Sequence, residues 1–179
     1  PLRRWLLHSC RGLGGLNLFC YTGALSVAAA KGLARSVTSI DMSNTYLTWA
    51  HRHFDLNDLN PKHYQFIRAN VLEWLTENPE PHFDLIILDP PTFSNTKNTE
   101  QTLDIQRDHS ALIDACLQWL APNGLIYFSN NFKSFVLDGS VSEQFIVKDL
   151  TRASIDLDFD RRAPHSLFKL LPKPDDELE

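Results

Sequence analysis

The chain has 179 residues, and its 17 Lys and Arg against 22 Asp and Glu give a formal net charge of −5. This length allows one domain with a sizeable core and leaves little room for a second. No apolar run reaches the roughly 18–20 residues of a membrane span, and the acidic balance counts against a protein that simply coats nucleic acid. The 3 cysteines form no Cys-x-x-Cys pair, so we expect neither a disulfide framework nor a metal site, and a cytoplasmic location.

Short apolar runs alternate with amphipathic segments along the chain. Strands are predicted over residues 16–20, 37–40, 64–67, 83–88 and 125–128, and helices over residues 24–31, 44–56 and 107–120, with a short helix after residue 70. A capping box of Ser140 and Glu143 predicts a last helix to about residue 150, followed by short strands at 155–157 and 166–171. The alternation predicts an α/β fold, a doubly wound, mostly parallel seven-stranded sheet with an antiparallel edge hairpin.

The N-terminal sequence PLRRW contains neither an initiator Met nor a signal-peptide pattern. We therefore expect residues 1–15 to be the remnant of an upstream segment. Residues 16–171 are predicted to form the domain, and residues 172–179 an acidic tail.

The residues that follow the strands are the candidates for a binding site, because ligands of doubly wound sheets bind beyond the carboxyl ends of the strands. The first strand leads into Phe19, Cys20, Tyr21, Thr22 and Gly23. Gly23 permits a tight turn, and the amides that open the next helix can face an anionic group. The loop has no Gly-x-Gly-x-x-Gly fingerprint, and taken alone it is equally consistent with a plain structural turn.

Polar side chains also follow the second and third strands. Asp41 could accept hydrogen bonds from both hydroxyls of a ribose, or it could cap the helix that begins after Ser43. Asn70 could bind an adenine through its amide, or cap the following helix, and the two roles can coexist.

The fourth strand is followed by Asp89, Pro90, Pro91, Thr92 and Phe93. Two consecutive prolines cannot donate ladder hydrogen bonds, so the strand must stop there in a stiff loop with free carbonyl groups. Phe93 could stack on a flat base beside a cofactor, the alternative being a core phenylalanine after a proline-terminated strand.

Residues 17–23 (NLFCYTG), Asp41 and residues 89–94 (DPPTFS) together resemble class I S-adenosylmethionine-dependent methyltransferases. They are most similar to ribosomal RNA methyltransferases with an LNxFxYTG first motif and a DPPxF fourth motif. Two branches share these motifs, the cytosine-C5 enzymes and the guanine-N7 half of a bifunctional 23S rRNA guanine methyltransferase. The sequences DPPTFSN, DIQRDH and FSNN, at residues 89–95, 104–109 and 128–131, match the second branch.

The resemblance implies a Rossmann-like fold, S-adenosylmethionine as cofactor, no metal, and 23S rRNA as partner before ribosome assembly is complete. It also implies upstream domains in the same chain and no membrane association. The implied cofactor residues are Phe19, Cys20, Tyr21, Thr22 and Gly23 for the methionine end, Asp41 for the ribose, Asn70 and Val71 for the adenine, and in addition Met42 and Asp89. The implied catalytic residues, around a flipped guanine, are Asp89, Pro90, Pro91, Thr92, Phe93 and Asn130.

The chemistry of the methylated atom separates the two branches. Cytosine C5 is a poor nucleophile and needs a cysteine thiolate that adds at C6, which the cytosine branch carries just after the fifth strand. This chain has Ser129, Asn130 and Asn131 there. Guanine N7 has a free lone pair and no proton, so alignment and charge stabilisation suffice. The sequence therefore favours guanine N7. The alternatives are cytosine-C5 methylation and a folded module without cofactor binding.

Several polar residues remain open between function and surface. Arg107 and His109 could bind RNA or lie at a solvated helix terminus. Asn130, Asn131 and Lys133 could line the base pocket, although turns also favour asparagine. Arg161, Arg162 and His165 could touch RNA or form a surface charge cluster. Because the chain is acidic, we expect it to bind RNA weakly and in a salt-sensitive manner on its own.

Overall fold

A computed structural model of the chain describes residues 1–77, 82–94, 103–156 and 164–174. The helices are α1 (Leu2–Ser9), α2 (Ala24–Lys31), α3 (Asn44–Asp55), α4 (Val71–Trp74), α5 (Ile105–Leu117) and α6 (Val141–Gln144). The strands are β1 (Gly14–Leu18), β2 (Ser36–Asp41), β3 (Tyr64–Arg68), β4 (Phe83–Leu88), β5 (Phe93–Ser94), β6 (Leu103–Asp104), β7 (Leu120–Asn130), β8 (Phe145–Asp149) and β9 (Ser166–Pro172). None of the helices in these ranges has the length and apolar character needed to cross a membrane.

The main sheet has seven strands in the order β3-β2-β1-β4-β7-β9-β8. The five neighbouring strands β3, β2, β1, β4 and β7 are parallel, and β9 is antiparallel to both β7 and β8. Strands β5 and β6 form a separate antiparallel pair. The chain moves outward from β1 to β3 and then returns to the other side of β1 with β4, so the switch in direction lies between β1 and β4. Their carboxyl ends lie side by side, with Leu18 opposite Leu88. The crevice that opens there is where such folds bind ligands, and the predicted fold class is confirmed.

Both faces of the sheet are covered by hydrophobic side chains. Leu16 and Leu18 of β1 face a core that includes the stacked rings of Trp74 and Trp119, whose centroids are 3.9 Å apart. On the opposite face, Ala29 of α2 belongs to a second core with residues of α1 and β4. Because both faces are buried, β4 (FDLIIL) is a nearly continuous apolar run, which explains why it could be located from the sequence.

The predicted helix over residues 140–150 is wrong beyond its first turn. Helix α6 ends at Gln144, and the next five residues form β8. Phe145 is buried and pairs with Pro172, while Ile146 and Val147 continue the pairing with β9. β-branched residues favour a strand wherever a partner strand is available. The side chain of Ser140 makes no capping hydrogen bond and contacts the Ser110 hydroxyl at 3.0 Å instead.

The predicted edge hairpin is confirmed, but its first strand is β8 rather than residues 155–157. Residues 152–154 form a 3-10 turn, residues 155 and 156 are not in a strand, and residue 157 lies outside the described part of the chain. The predicted helix over 107–120 ends at Leu117, and Leu120 already pairs with Phe83 in the sheet. The sequence Pro-Asn-Gly at residues 122–124, which is typical of a turn, lies inside β7, where the pairing register shifts.

Candidate active site

The loop that follows β1 is bent by backbone conformations that only glycine adopts easily. Phe19, Tyr21 and Gly23 have φ angles of 56°, 50° and 74°. Side-chain-bearing residues pay of order 1–3 kcal/mol for this conformation, and such residues cluster at functional sites. A Cβ atom on Gly23 would lie 2.8 Å from the Cβ of Ala50 in α3. The glycine therefore serves both the turn and the close approach of α3.

Asp41, at the end of β2, holds this loop in place. One carboxylate oxygen accepts a hydrogen bond from the Tyr21 amide at 2.9 Å, and the other accepts from the Ser43 amide at 2.8 Å. Ser43 caps α3 itself, because its hydroxyl accepts from the amide of Tyr46 at 3.3 Å. Asp41 is thus not the helix cap. Each of its oxygens has a further lone pair that can accept a ligand hydroxyl.

Asn70 caps α4, as the alternative reading of the sequence allowed. Its side-chain oxygen accepts from the Leu72 amide at 3.2 Å, and its amide nitrogen donates to the Glu73 carboxylate at 2.8 Å. The amide still has one donor and one acceptor position unused by these two bonds. Capping therefore leaves room for a contact with a ligand.

A cavity of about 470 Å³ opens at the carboxyl ends of these strands. It brings together most of the predicted cofactor residues and the first part of the loop after β4. Its walls also include three residues that sequence reasoning missed, Tyr46, Leu72 and Leu103, of which only Tyr46, in the first turn after Asp41, had a positional signal. The lining residues are Phe19, Tyr21, Asp41, Met42, Tyr46, Asn70, Val71, Leu72, Asp89, Pro90, Pro91, Leu103 and Asn131.

Some predicted site residues do not line this cavity. The Cys20 side chain is buried, and Thr22 contributes its carbonyl oxygen to the His53 ring at 2.7 Å. Gly23 acts through the backbone, and Thr92 accepts a hydrogen bond from the Ile105 amide at 3.3 Å through its carbonyl group.

Phe93 does not belong to the core, contrary to the structural alternative weighed for it. Its side chain is 57% exposed, and its ring meets that of Phe132 edge-on at 6.2 Å. An exposed aromatic ring beside the cavity mouth is available for stacking on a planar group.

Asn130 is fully buried and is absent from the walls of both described cavities. Its side-chain oxygen accepts from the Phe132 amide at 3.0 Å, which fixes the turn after β7. Its amide nitrogen has no hydrogen-bond partner among the described residues. The neighbouring Asn131 is the residue that reaches the cavities. Asn131 follows the last residue of β7, so of the two asparagines predicted for the base pocket only the second lines the cavities.

Asp89 lies between the first cavity and a second one of about 300 Å³. The Ser129 hydroxyl donates a hydrogen bond of 2.6 Å to its carboxylate. Loss of hydration between the cavity walls raises the pKa of Asp89, against the opposing effects of this bond and of the charge of His165. A carboxylate in this position can bind donors of a ligand or stabilise a nearby positive charge.

The second cavity places His165 near Asp89. The Ser154 hydroxyl donates to the Thr151 carbonyl at 2.8 Å and lies 2.7 Å from Nε2 of His165. Since the single hydroxyl proton is engaged, Nε2 of His165 is the donor to Ser154. Burial lowers the pKa of His165, and the charge of Asp89 opposes that effect. The remaining walls are formed by Pro1, Leu2, Arg3, Ala24, Leu25, Ser129, Asn131 and Leu167.

Among the described residues, the other polar candidates Arg107, His109 and Lys133 do not line either cavity. His109 is 1% exposed, and its Nε2 accepts a hydrogen bond from the Asp138 amide at 2.9 Å. Arg107 forms an ion pair with Asp108 at 2.6 Å. Lys133 is exposed, and Arg161 and Arg162 lie outside the described residues.

Among the described residues are all three cysteines and other side chains of the types that bind metals. All three cysteines are buried. Burial raises the pKa of the Cys10 thiol to about 11 and that of the Cys20 thiol to about 12, and it also raises the pKa of Cys116. Across the described ranges, no group of three or more His, Cys, Asp or Glu side chains could hold a metal ion.

The sequence matches the family model of S-adenosylmethionine-dependent methyltransferases over residues 2–168. It is 53% identical over 161 residues to the ribosomal RNA large subunit methyltransferase K/L of Hahella chejuensis, covering 90% of this chain and 22% of that protein. It is 47% identical over 173 residues to the ribosomal RNA large subunit methyltransferase K of Neisseria meningitidis serogroup B, covering 96% of this chain and 49% of that protein. The chain thus spans about half or less of the length of these relatives.

A solved structure shows the same fold. The crystal structure of the methyltransferase SMU.776 complexed with SAH superposes with a TM-score of 0.77 and 26% identity. The superposition covers 95% of this chain and 48% of that chain.

The first cavity has the size and donor set that S-adenosylmethionine, the cofactor of this family, requires. Its volume of about 470 Å³ falls within the roughly 300–1,000 Å³ of small-molecule sites. Asp41 offers free acceptor positions suited to a ribose diol, and Met42, Val71 and Leu72 add apolar wall suited to a flat base. The matched sequence, the sheet order and this cavity lead to one conclusion: the chain belongs to the family of S-adenosylmethionine-dependent methyltransferases.

Proposed function

We propose that this chain methylates N7 of a guanine in large-subunit ribosomal RNA, as part of a longer enzyme. The observation that carries the proposal is the position of Asp89, a carboxylate held by Ser129 between two adjoining cavities. The names of the relatives support large-subunit ribosomal RNA as the substrate. The choice of N7 comes from the chemistry of the site.

The first cavity would hold the cofactor. Asp41 would accept the ribose hydroxyls with the lone pairs left free by the amides of Tyr21 and Ser43. Asn70 and Val71 would contact the adenine, and the loop over residues 19–23 would surround the methionine end. When bound, S-adenosylmethionine supplies an electrophilic methyl group on a sulfonium centre.

Guanine N7 fits the groups that surround Asp89. Attack by this nitrogen needs no general base, since it carries no proton, and it leaves positive charge on the base. A carboxylate beside the base stabilises that developing charge. The exposed ring of Phe93 would stack on the flipped guanine. The cytosine-C5 alternative needs a thiolate, whereas the three thiols of this chain are buried.

The test is to incubate the chain with unmodified 23S rRNA and S-adenosylmethionine and to separate the nucleosides by chromatography and mass spectrometry. We expect 7-methylguanosine. N2-methylguanosine would contradict the choice of N7, and 5-methylcytidine would support the cytosine-C5 alternative. Calorimetric titration with S-adenosylhomocysteine covers the third outcome, because a chain that neither binds it nor methylates RNA is only a folded module.

A matched pair of variants tests the role of Asp89. Asp89→Asn keeps the size of the side chain and an acceptor for Ser129 but removes the charge, so we expect kcat to fall on the order of 10²-fold. Leu56→Ala is the control, because Leu56 is 80% exposed and lies outside both described cavities. Unchanged kcat in Asp89→Asn would show that the carboxylate does not stabilise the reacting base.

A further inference from the structure

The outer face of α3 and the loop after β1 carry exposed aromatic rings, two of which also line the first cavity. Tyr21, Tyr46 and Trp49 are 58%, 39% and 47% exposed. Arg52 and His53 follow Trp49 on the helix. We call these five residues the α3 aromatic surface. Scattered single apolar residues are normal on a protein surface, but contiguous patches mark interaction sites.

The rings of this surface form two pairs, and one pair also contacts a cation. Tyr21 and Tyr46 meet edge-on with their centroids 4.4 Å apart. The guanidinium carbon of Arg52 lies 5.5 Å from the centre of the Trp49 ring, and the ring of His53 lies 6.2 Å from it. Tyr46 and Trp49 are three residues apart, so they lie on the same side of the helix. The core-facing side of α3 is formed by other residues, Leu47, Ala50 and Phe54.

The segment around α3 has one more basic than acidic residue, whereas the whole chain is acidic. Residues 44–68 contain three Lys or Arg residues, at positions 52, 62 and 68, and two acidic residues, at positions 55 and 58. Three of the chain's seven histidines also lie there, at positions 51, 53 and 63. The chain as a whole has a formal charge of −5. The α3 aromatic surface therefore lies in a segment that is compatible with a polyanion.

We propose that the α3 aromatic surface binds single-stranded RNA that flanks the target base. Bases of an unpaired strand stack on aromatic rings, whatever their sequence, and an arginine over a ring adds a cation for the backbone. Tyr21 and Tyr46 also line the first cavity. A strand bound at Trp49 is therefore one helical turn from Tyr46, at the wall of the cavity. This inference rests on the proposed function, since it assumes an RNA substrate.

The test uses a single-stranded oligoribonucleotide and a version of the same length that lacks bases. Trp49 is much more exposed than Trp74 and Trp119, which are 9% and 3% exposed, so stacking on it is expected to quench tryptophan fluorescence. We expect Trp49→Ala to weaken binding of the normal oligonucleotide at least about fivefold. Trp49→Phe should restore most of the affinity. The oligonucleotide without bases should bind weakly, and with equal affinity, to Trp49→Ala and Trp49→Phe. The control variant Leu56→Ala should bind the normal oligonucleotide as tightly as the unchanged protein does.

Three results would overturn the proposal. Equal affinity of Trp49→Ala and the unchanged protein would show that the ring is not used. Equal affinity for the two oligonucleotides would show that only phosphates are bound. A dimer that sedimentation detects and that Trp49→Ala dissociates would show that a second copy covers the surface.

Failure of this inference is distinguishable from failure of the proposed function. If the unchanged protein forms 7-methylguanosine and Trp49→Ala leaves its KM for RNA unchanged, the α3 aromatic surface is wrongly assigned and the proposed function stands. If no methylated guanosine forms but the oligonucleotide binds through Trp49, the proposed function is wrong and the assignment of the α3 aromatic surface stands. The substitution is exposed, so circular dichroism should show an intact fold in either case.

Discussion

Replacing Gly23 by alanine should destabilise the protein through two separate costs. The first is conformational, because Gly23 has a φ angle of +74°; a left-handed conformation costs a side-chain-bearing residue about 1–2 kcal/mol. The second is steric, because the new Cβ would lie 2.8 Å from Ala50 Cβ and 3.2 Å from Ala50 Cα. Overpacking of this kind adds about 1–3 kcal/mol, so the free energy of unfolding should fall by about 2–5 kcal/mol.

Gly12 provides the matched control. Its φ angle is +77°, and a Cβ on it would meet nothing within 4 Å. Gly12→Ala should therefore show only the conformational cost of about 1–2 kcal/mol. Urea unfolding, followed by circular dichroism, gives both free energies. A Gly23→Ala protein no less stable than Gly12→Ala would refute the steric part of the reasoning.

A double variant separates the contact from a general loss of structure. Ala50→Gly removes one of the two atoms that the new Cβ would meet, so it should cost less in the Gly23→Ala background than in the unchanged protein. Gly23→Ala should also weaken binding of S-adenosylhomocysteine, because the loop over residues 19–23 must move away from α3, whereas Gly12→Ala should not.

Three further predictions follow from buried groups. Asp89→Asn should raise the urea midpoint at pH 7, and by less towards pH 4. Burial raises the pKa of Asp89 in the folded state, so the ionised carboxylate destabilises the folded protein at pH 7 and the protonated carboxyl does not. A difference in midpoint that stays constant across this range would contradict the prediction. Ser26→Ala should lower the free energy of unfolding by about 1–3 kcal/mol, because the Asn17 amide, 2.8 Å from the Ser26 hydroxyl, loses a buried partner. Calorimetric melting measures the change. In an Asn17→Ala background, Ser26→Ala should lower the free energy of unfolding by less. The thiols should stay unreactive towards a chromogenic disulfide at pH 8 until urea is added. Burial raises the pKa of Cys20 to about 12, and the other two cysteines are buried as well. A fast reaction in native buffer would contradict this prediction.

The difference between the predicted last helix and strand β8 shows where sequence patterns stop being informative. A Ser and a Glu three residues apart are typical of a helix start, but residues 145–149 pair with β9 instead. The two strands are joined by a connection of more than a dozen residues, from Asp149 to Ser166. A local window carries no information about a partner at that distance, so tertiary pairing overrode the capping signal.

The predicted site shows the same division. Asp41, Asn70 and Asp89 follow apolar runs in the sequence, and all three line the first cavity. Asn130 and Asn131 were both visible as polar residues after a strand, but the sequence does not reveal which of them faces the cavity. That choice depends on the twist of β7 and on the turn that the Asn130 side chain stabilises.

The sequence by itself determined the α/β class, the approximate positions of the parallel strands and the resemblance to methyltransferases. It could do so because a buried parallel strand such as β4 is a nearly continuous apolar run, here ended by Asp89 and two prolines. Only the tertiary structure decided that Ser129 binds Asp89 across 40 positions of the chain, and that the exposed rings of α3 adjoin Tyr21. Both are contacts between segments far apart in the chain, and they exist only once the sheet has assembled.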